Sequence, residues 1–204
     1  MTDAPPALVE VLVQDCIDRE KFEPSFYRDA SENGWVTALI GRKFNSAFEA
    51  AQLRLDDGTS AWRIGDRPAT VNEISADFVR VFSMPPAMLA EHYAAPTSPR
   101  ASLEFAVGLC RKEVTGIYLP AVVKRVPDVF SMPSGVARAL VTIAYATGVH
   151  GLDGWPHMLG SVNRRDFAGI VQRVEYHLKP PASVATNTRL EGWFAEAAKA
   201  PPTS

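Results

Sequence analysis

The sequence lacks most of the features that mark a nucleic-acid, metal, redox or membrane protein. It has only two cysteines, Cys16 and Cys110, both in apolar helix-like runs without CxxC or Cys/His spacing. They read as buried free thiols, not as a disulfide framework or a metal site. The four histidines, His92, His150, His157 and His177, also lack ligand spacing. No metal and no cofactor is expected. Charge of one sign is missing too: 21 basic and 23 acidic side chains leave a net −2. Without a basic field, binding to DNA or RNA is not expected. The longest mostly apolar run, residues 136–149, is interrupted by Arg138 and is too short to span a bilayer, so no membrane insertion is expected. Residues 1–6 hold an aspartate and two prolines where a secretory signal would be basic and then apolar. No Gly-x-Ser-x-Gly elbow and no Cys/His pairing supports nucleophilic catalysis.

Of the 204 residues, 47% are hydrophobic, enough for one core or for two small lobes sharing a long helix. Leu8, Leu12, Val13, Cys16 and Ile17 recur at helical spacing, and Pro24 disfavours helix at Glu23, so a first helix is predicted over about 7–22. Glu20 falls in its last turn beside the apolar stripe. Asn33-Gly34 then separates Phe26-Tyr27 from Trp35-Val36-Thr37, a hairpin signal. Asp57-Gly58, flanked by Leu53/Leu55 and Trp62/Ile64, repeats it, and a small antiparallel sheet is expected within 25–65.

Helices are expected from residue 70 onward. Thr70-Val-Asn-Glu73 fits a capping box, followed by the stripe Val71, Ile74, Phe78 and Phe82. Further helices are predicted over about 102–114, 120–130, 136–147, 165–178 and from Thr188, the last one buried through Leu190, Trp193, Phe194 and Ala197. The helix over 136–147 is apolar nearly all round and reads as the central one, closed by Gly148. Arg138 is its one charged edge, expected to tolerate loss better than Leu140 or Ile143.

Two blocks carry a resemblance. The first is Glu20-Lys-Phe-Glu-Pro-Ser-Phe-Tyr27-Arg-Asp29, followed by Gly34-Trp-Val-Thr37 and Ile40-Gly41. The second runs from Ser134 to Phe167, with Ala137 to Tyr145 as a buried helix, then Thr147-Gly148, Gly151-Leu-Asp-Gly-Trp155, Met158-Leu, Asn163 and Asp166-Phe. Together with Asn187-Thr-Arg189 and Trp193-Phe194 they resemble the phage-type lysozymes of the lysozyme-like superfamily, in the right order and over roughly half of the chain. The resemblance implies a single α+β, predominantly helical, lysozyme-like two-lobed domain over 1–204. A small β-containing lobe would cover about 25–65 and a helical lobe about 70–199.

It also implies a muramidase, a glycoside hydrolase cutting the glycan strand of peptidoglycan, either a phage endolysin or a secreted antibacterial effector. Glu20 would be the general acid, Asp29 would position the attacking water or stabilise charge on the sugar, and Thr37 would help to hold that water. Arg189 would form an ion pair with the carboxylates across the cleft. The chemistry of the residues agrees. Apolar neighbours and the negative end of the helix dipole both favour a protonated Glu20, while the polar turn favours an ionised Asp29. Two carboxyls in unlike settings are what glycosidases use.

The chain departs from the family in three places. Asp29 and Thr37 lie two residues further apart, an insertion around 31–33; Leu39 replaces the first glycine of the glycine-rich segment; and Arg42 replaces its histidine. The alternatives are a catalytically inactive lysozyme-like module that binds peptidoglycan or a protein, and a chitinase-like variant. Trp35, Trp62, Trp155 and Trp193 could stack on sugars, although Trp193 reads as core. A monomer made in the reducing cytoplasm is expected. It would reach peptidoglycan after holin-type release or secretion-system delivery, with an immunity or delivery protein as its protein partner.

Overall fold

The computed structural model describes residues 4–31, 33–173, 178 and 184–200. The protein is α+β and predominantly helical, with a small antiparallel sheet near its N-terminus. By its contacts the chain divides into two compact units, one of Met1–Arg19 with Cys110–Ser204 and one of Glu20–Leu109. Among the described residues, no helix is long and apolar enough to cross a membrane.

The second unit holds both sheets. Strands β1 (Glu23–Arg28), β2 (Val36–Leu39) and β3 (Arg42–Phe44) form an antiparallel meander, and β4 (Arg63–Ile64) pairs with β5 (Arg67–Pro68). Tyr27 pairs with Thr37 and Thr37 with Lys43, so these three share one face. On the other face Phe26 meets Phe44, Trp62 and Phe78 with ring centroids 4.5–5.8 Å apart. That aromatic cluster is the core of the unit, and Trp62 anchors it by donating from Nε1 to the Ala50 carbonyl at 2.8 Å.

The Asp57-Gly58 turn forms as expected, with Thr59 N and Oγ1 donating to Asp57 Oδ1. The strands expected on either side of it do not. Helix α2 (Ala47–Ala51) occupies the approach, and only an isolated bridge between Arg54 and Ser60 remains. Ser46 caps α2 by accepting from Glu49 N, which outweighs the short alternation at Leu53 and Leu55.

Helix α3 (Val71–Ser83) starts with the predicted capping box between Thr70 and Glu73. Its stripe is rotated from the predicted one: Ile74, Phe78 and Val81 are buried, whereas Val71 and Phe82 are 47% and 57% exposed. The helix belongs to the same unit as the sheet because Phe78 packs on Phe26, so this unit extends well past residue 65. Asp77, buried, holds Arg80, whose guanidinium also donates to the Tyr93 carbonyl and Ser98 Oγ.

In the first unit, α1 (Pro6–Glu20) ends two residues before the predicted boundary because Lys21 turns left-handed at φ +61°. Helix α4 (Leu103–Glu113) begins in the second unit and passes into the first at Cys110, and a π-helical turn, Val114–Tyr118, joins it to α5 (Leu119–Arg125) where the sequence suggested a break. α5 stops at Arg125, and a 3₁₀ turn, Val129–Ser131, follows in place of its predicted last residues. Helix α6 (Ser134–Thr147) is the buried central helix, with Leu140 and Ile143 fully enclosed and Gly148 at φ +78° after it. α7 (Pro156–Asn163) precedes α8 (Phe167–Arg173), which starts later than predicted because Arg165 is left-handed and Asp166 caps Gly169 N at 3.0 Å. The expected end of that helix at residues 174–178 and its Pro180-Pro181 stop lie largely outside the described residues.

Helix α9 (Val184–Lys199) begins before Thr188, which is no cap: its hydroxyl donates to the Val184 carbonyl within the helix. Leu190, Trp193, Phe194 and Ala197 are buried as expected. Cys16 and Cys110 are free and buried, and the Cys16 thiol is pushed well above its usual range by its hydrogen bond to Cys110 and by burial.

Arg138 overturns its reading as a tolerant edge. It pairs with both oxygens of buried Asp15 at 2.8 Å and lies 4.5 Å from the centre of the Trp193 ring. Arg138→Ala leaves that carboxylate without its cation, so it should cost about as much as the cavity left by Leu140→Ala, both roughly 2–5 kcal/mol. Chemical denaturation of the two variants measures this. At the cap of α3, Arg67 first and then Thr70 hold the Glu73 carboxyl down from 4.5 to about 2. A carboxyl depressed in the folded state adds stability above its unfolded value and loses it as pH falls through the folded one. The difference in melting temperature between the parent and Glu73→Gln should therefore disappear as pH falls from 4.5 through about 2.

Candidate functional site

Glu20, Tyr27, Asp29 and Thr37 all belong to the second unit. Glu20 closes α1 and is half-buried. Its place is set by the β2–β3 turn, where Leu39 and Gly41 are both left-handed, at φ +62° and +67°. A Cβ at position 41 would lie 2.7 Å from both Cγ and Oε2 of Glu20, so only glycine leaves room for the carboxyl. This seat gives the Ile40-Gly41 part of the motif a physical reason. Leu39, although a buried leucine, holds the left-handed conformation that glycine favours.

Tyr27 lies in the field of the nearby acids. Burial first, and then the negative charges of Glu20, Asp29 and Glu23, push its phenol well above the usual range. The tyrosine hydroxyl thus keeps its proton among three carboxyl groups and can donate to one of them or to a bound hydroxyl.

Asp29 organises the loop over 29–35. Its Oδ1 accepts from the backbone of Ser31 at 3.2 Å, from the Ser31 hydroxyl and from the backbone of Trp35 at 3.0 Å. Its Oδ2 is 3.4 Å from Lys43 Nζ. Asp29 N donates to the Trp35 carbonyl, and Gly34, left-handed at φ +54°, lets the loop close against the Arg28 guanidinium. Asp29 is thus the internal acceptor of the turn.

Thr37 is 2% exposed, and its hydroxyl donates to the Trp35 carbonyl at 3.3 Å. It lies between Tyr27 and Lys43 across the sheet. Arg42 is ion-paired with Glu49 at 3.2 Å. Arg189 is exposed on α9, in the other unit, and shows no ion pair among the described residues. Of the tryptophans, Trp62 and Trp193 are core, and Trp35 and Trp155 are half-buried. Among the described residues no cluster of three His, Cys, Asp or Glu side chains could hold a metal ion.

No family model matches the chain, and neither a curated protein nor a solved structure matches it. The site therefore stands on its own geometry. Lys43 is the residue that sequence reasoning missed. Its signal lies in the register: once Leu39 to Gly41 is recognised as the turn, Lys43 must face Thr37 and reach the Asp29 side of the sheet.

The seat under Glu20 can be tested by comparing two glycines. Gly41→Ala and Gly58→Ala both force alanine into left-handed backbone, about 1–3 kcal/mol of strain. Only Gly41→Ala also meets another residue, because nothing lies within 4 Å of a Cβ at 58. Gly41→Ala should lower the melting temperature more, and a Glu20→Ala background should remove the excess.

Proposed function

We propose that the protein is a glycoside hydrolase of the lysozyme type, acting on the glycan strand of peptidoglycan, with Glu20 as its general acid. The observation that carries this reading is the seating of the Glu20 carboxyl over Gly41, in electrostatic reach of Tyr27, which also senses Asp29. A glycine without side-chain bulk leaves room for the carboxyl of an acid at that point of the sheet. In the reaction Glu20 gives its proton to the glycosidic oxygen as the C1–O bond breaks, and the departing sugar leaves as an alcohol. Positive charge then develops at C1, and water adds to it with loss of a proton.

Asp29 contributes its negative charge from the neighbouring turn, and Lys43 moderates it. Thr37, buried between Tyr27 and Lys43, supports the arrangement through its hydroxyl, which also has acceptor capacity for a water.

A second reading has its own support. Asp29 Oδ1 is taken by three donors and Oδ2 faces Lys43, a setting suited to holding a loop. An inactive module of the same scaffold would retain it for that purpose alone. The two readings differ in the effect of Glu20→Gln, which keeps the shape and removes the transferable proton. In a turbidity assay on purified peptidoglycan, Glu20→Gln should lower turnover by roughly 10²-fold or more. Glu23→Gln, outside the matched spacing, should leave it nearly unchanged. Equal clearance by Glu20→Gln and the parent refutes the acid assignment, and no clearance by the parent favours the binding module. Mass analysis of the released fragments identifies the bond.

A further inference from the structure

A pocket of about 400 Å³ opens beside the β1–β2 loop, within the second unit. Its size lies in the range of small-ligand sites, roughly 300–1,000 Å³. The walls are Phe44 and Phe78 of the aromatic cluster, the half-buried Trp35, and Phe82 of α3, with the exposed Asn33 and Asn45 among the lining residues. Strand alternation puts Phe44 on the face of the sheet away from Tyr27, Thr37 and Lys43, so this pocket is separate from the acid site.

Three features define what it can hold. First, none of its lining residues is charged, so a phosphate or carboxylate ligand would find no ion partner in the lining. Second, two aromatic side chains of its wall are open to a ligand, the half-buried Trp35 and Phe82, which is 57% exposed with its ring 5.3 Å from the Arg28 guanidinium, while Phe44 and Phe78 form the buried floor. Third, neutral polar groups stand beside the rings. Asn45 donates through Nδ2 to Glu49, which leaves its carbonyl oxygen as an acceptor. The Asn33 side chain and the Trp35 indole N–H show no hydrogen bond among the described residues.

Flat aromatic faces beside carboxamides suit a pyranose ring, whose C–H face stacks while its hydroxyl and acetamido edges exchange neutral hydrogen bonds. A purely aliphatic ligand would leave the carboxamides and the indole N–H without partners.

We propose that this pocket binds an uncharged N-acetylated sugar segment of the glycan, on the opposite side of the sheet from Glu20, Asp29 and Thr37. This rests on the glycoside hydrolase reading for the identity of the polymer. The site is coupled to the acid side through one residue: Trp35 lines the pocket while its backbone N–H donates to Asp29 Oδ1. Occupancy of the pocket therefore steadies the loop that carries Asp29.

The test uses the full-length Glu20→Gln protein, so that no sugar is consumed, titrated with tri-N-acetylchitotriose and followed by the indole N–H resonances in ¹H–¹⁵N NMR. The Trp35 indole, assigned with Trp35→Phe, should shift on titration. Adding Phe82→Ala, which removes an exposed ring, should weaken binding roughly tenfold. Asn33→Ala provides a second, independent loss of affinity without disturbing the aromatic walls. An unshifted Trp35 indole, or an affinity unchanged in both Phe82→Ala and Asn33→Ala, overturns the proposal. The hydrolase reading fails separately, by parent protein that does not cut peptidoglycan. In that case a Phe82-dependent Trp35 shift still identifies a sugar site, on a protein that does not hydrolyse its ligand.

Discussion

The turn at residues 39–41 constrains everything on the acid side of the sheet. Two left-handed residues, Leu39 and Gly41, reverse the chain so that Thr37 faces Lys43 and Val36 faces Phe44. A slip of one residue would turn Phe44 away from Phe26 and Trp62, and would take Lys43 from the Asp29 side. The same turn places a side-chain-free position under Glu20. Register, aromatic core and acid placement are thus three results of one backbone conformation. That conformation is strained at Leu39, where a buried leucine adopts torsions that normally fall to glycine or asparagine.

The sequence was most readable where a local rule and the tertiary environment agree. The capping box of α3, the apolar α6 and the Asn33-Gly34 turn are local in origin, and each forms where its residues indicate. Legibility failed where partners lie far away in the chain. Arg138 looked like a solvent edge because its partner Asp15 is 123 residues distant, and no periodicity reveals such a pair. The alternation at Leu53 and Leu55 suggested strands, but between the capped α2 and the tight Asp57-Gly58 turn the pairing of residues 53–55 with 59–61 is too short to extend beyond one bridge. Phe82 looked like core because helical spacing fixes a stripe only to within about one position, and Val81 fills that place.

For the candidate site, spacing located Glu20, Tyr27, Asp29 and Thr37 in one unit, but it said nothing of how each is held. In the structure Asp29 holds the loop through its Oδ1, and Thr37 is buried between two longer side chains. Lys43 was hidden because lysine on a short strand carries no signal until the register is known. Its ammonium and Ser31 act on the same carboxylate, one from β3 and the other from within the loop.

The order of the units along the chain has a consequence for biosynthesis. Residues 20–109 form a contiguous unit, whereas α1 belongs with segments made only after residue 110. On a ribosome, the sheet and its aromatic cluster can assemble while α6 is still untranslated. α1 emerges before α6 and waits for it, with Asp15 and Arg19 solvated until Arg138 and the Thr142 carbonyl arrive. Its apolar stripe, Val9, Leu12, Val13 and Cys16, is uncovered during the same interval, so the nascent chain exposes an adhesive face beside the waiting charges.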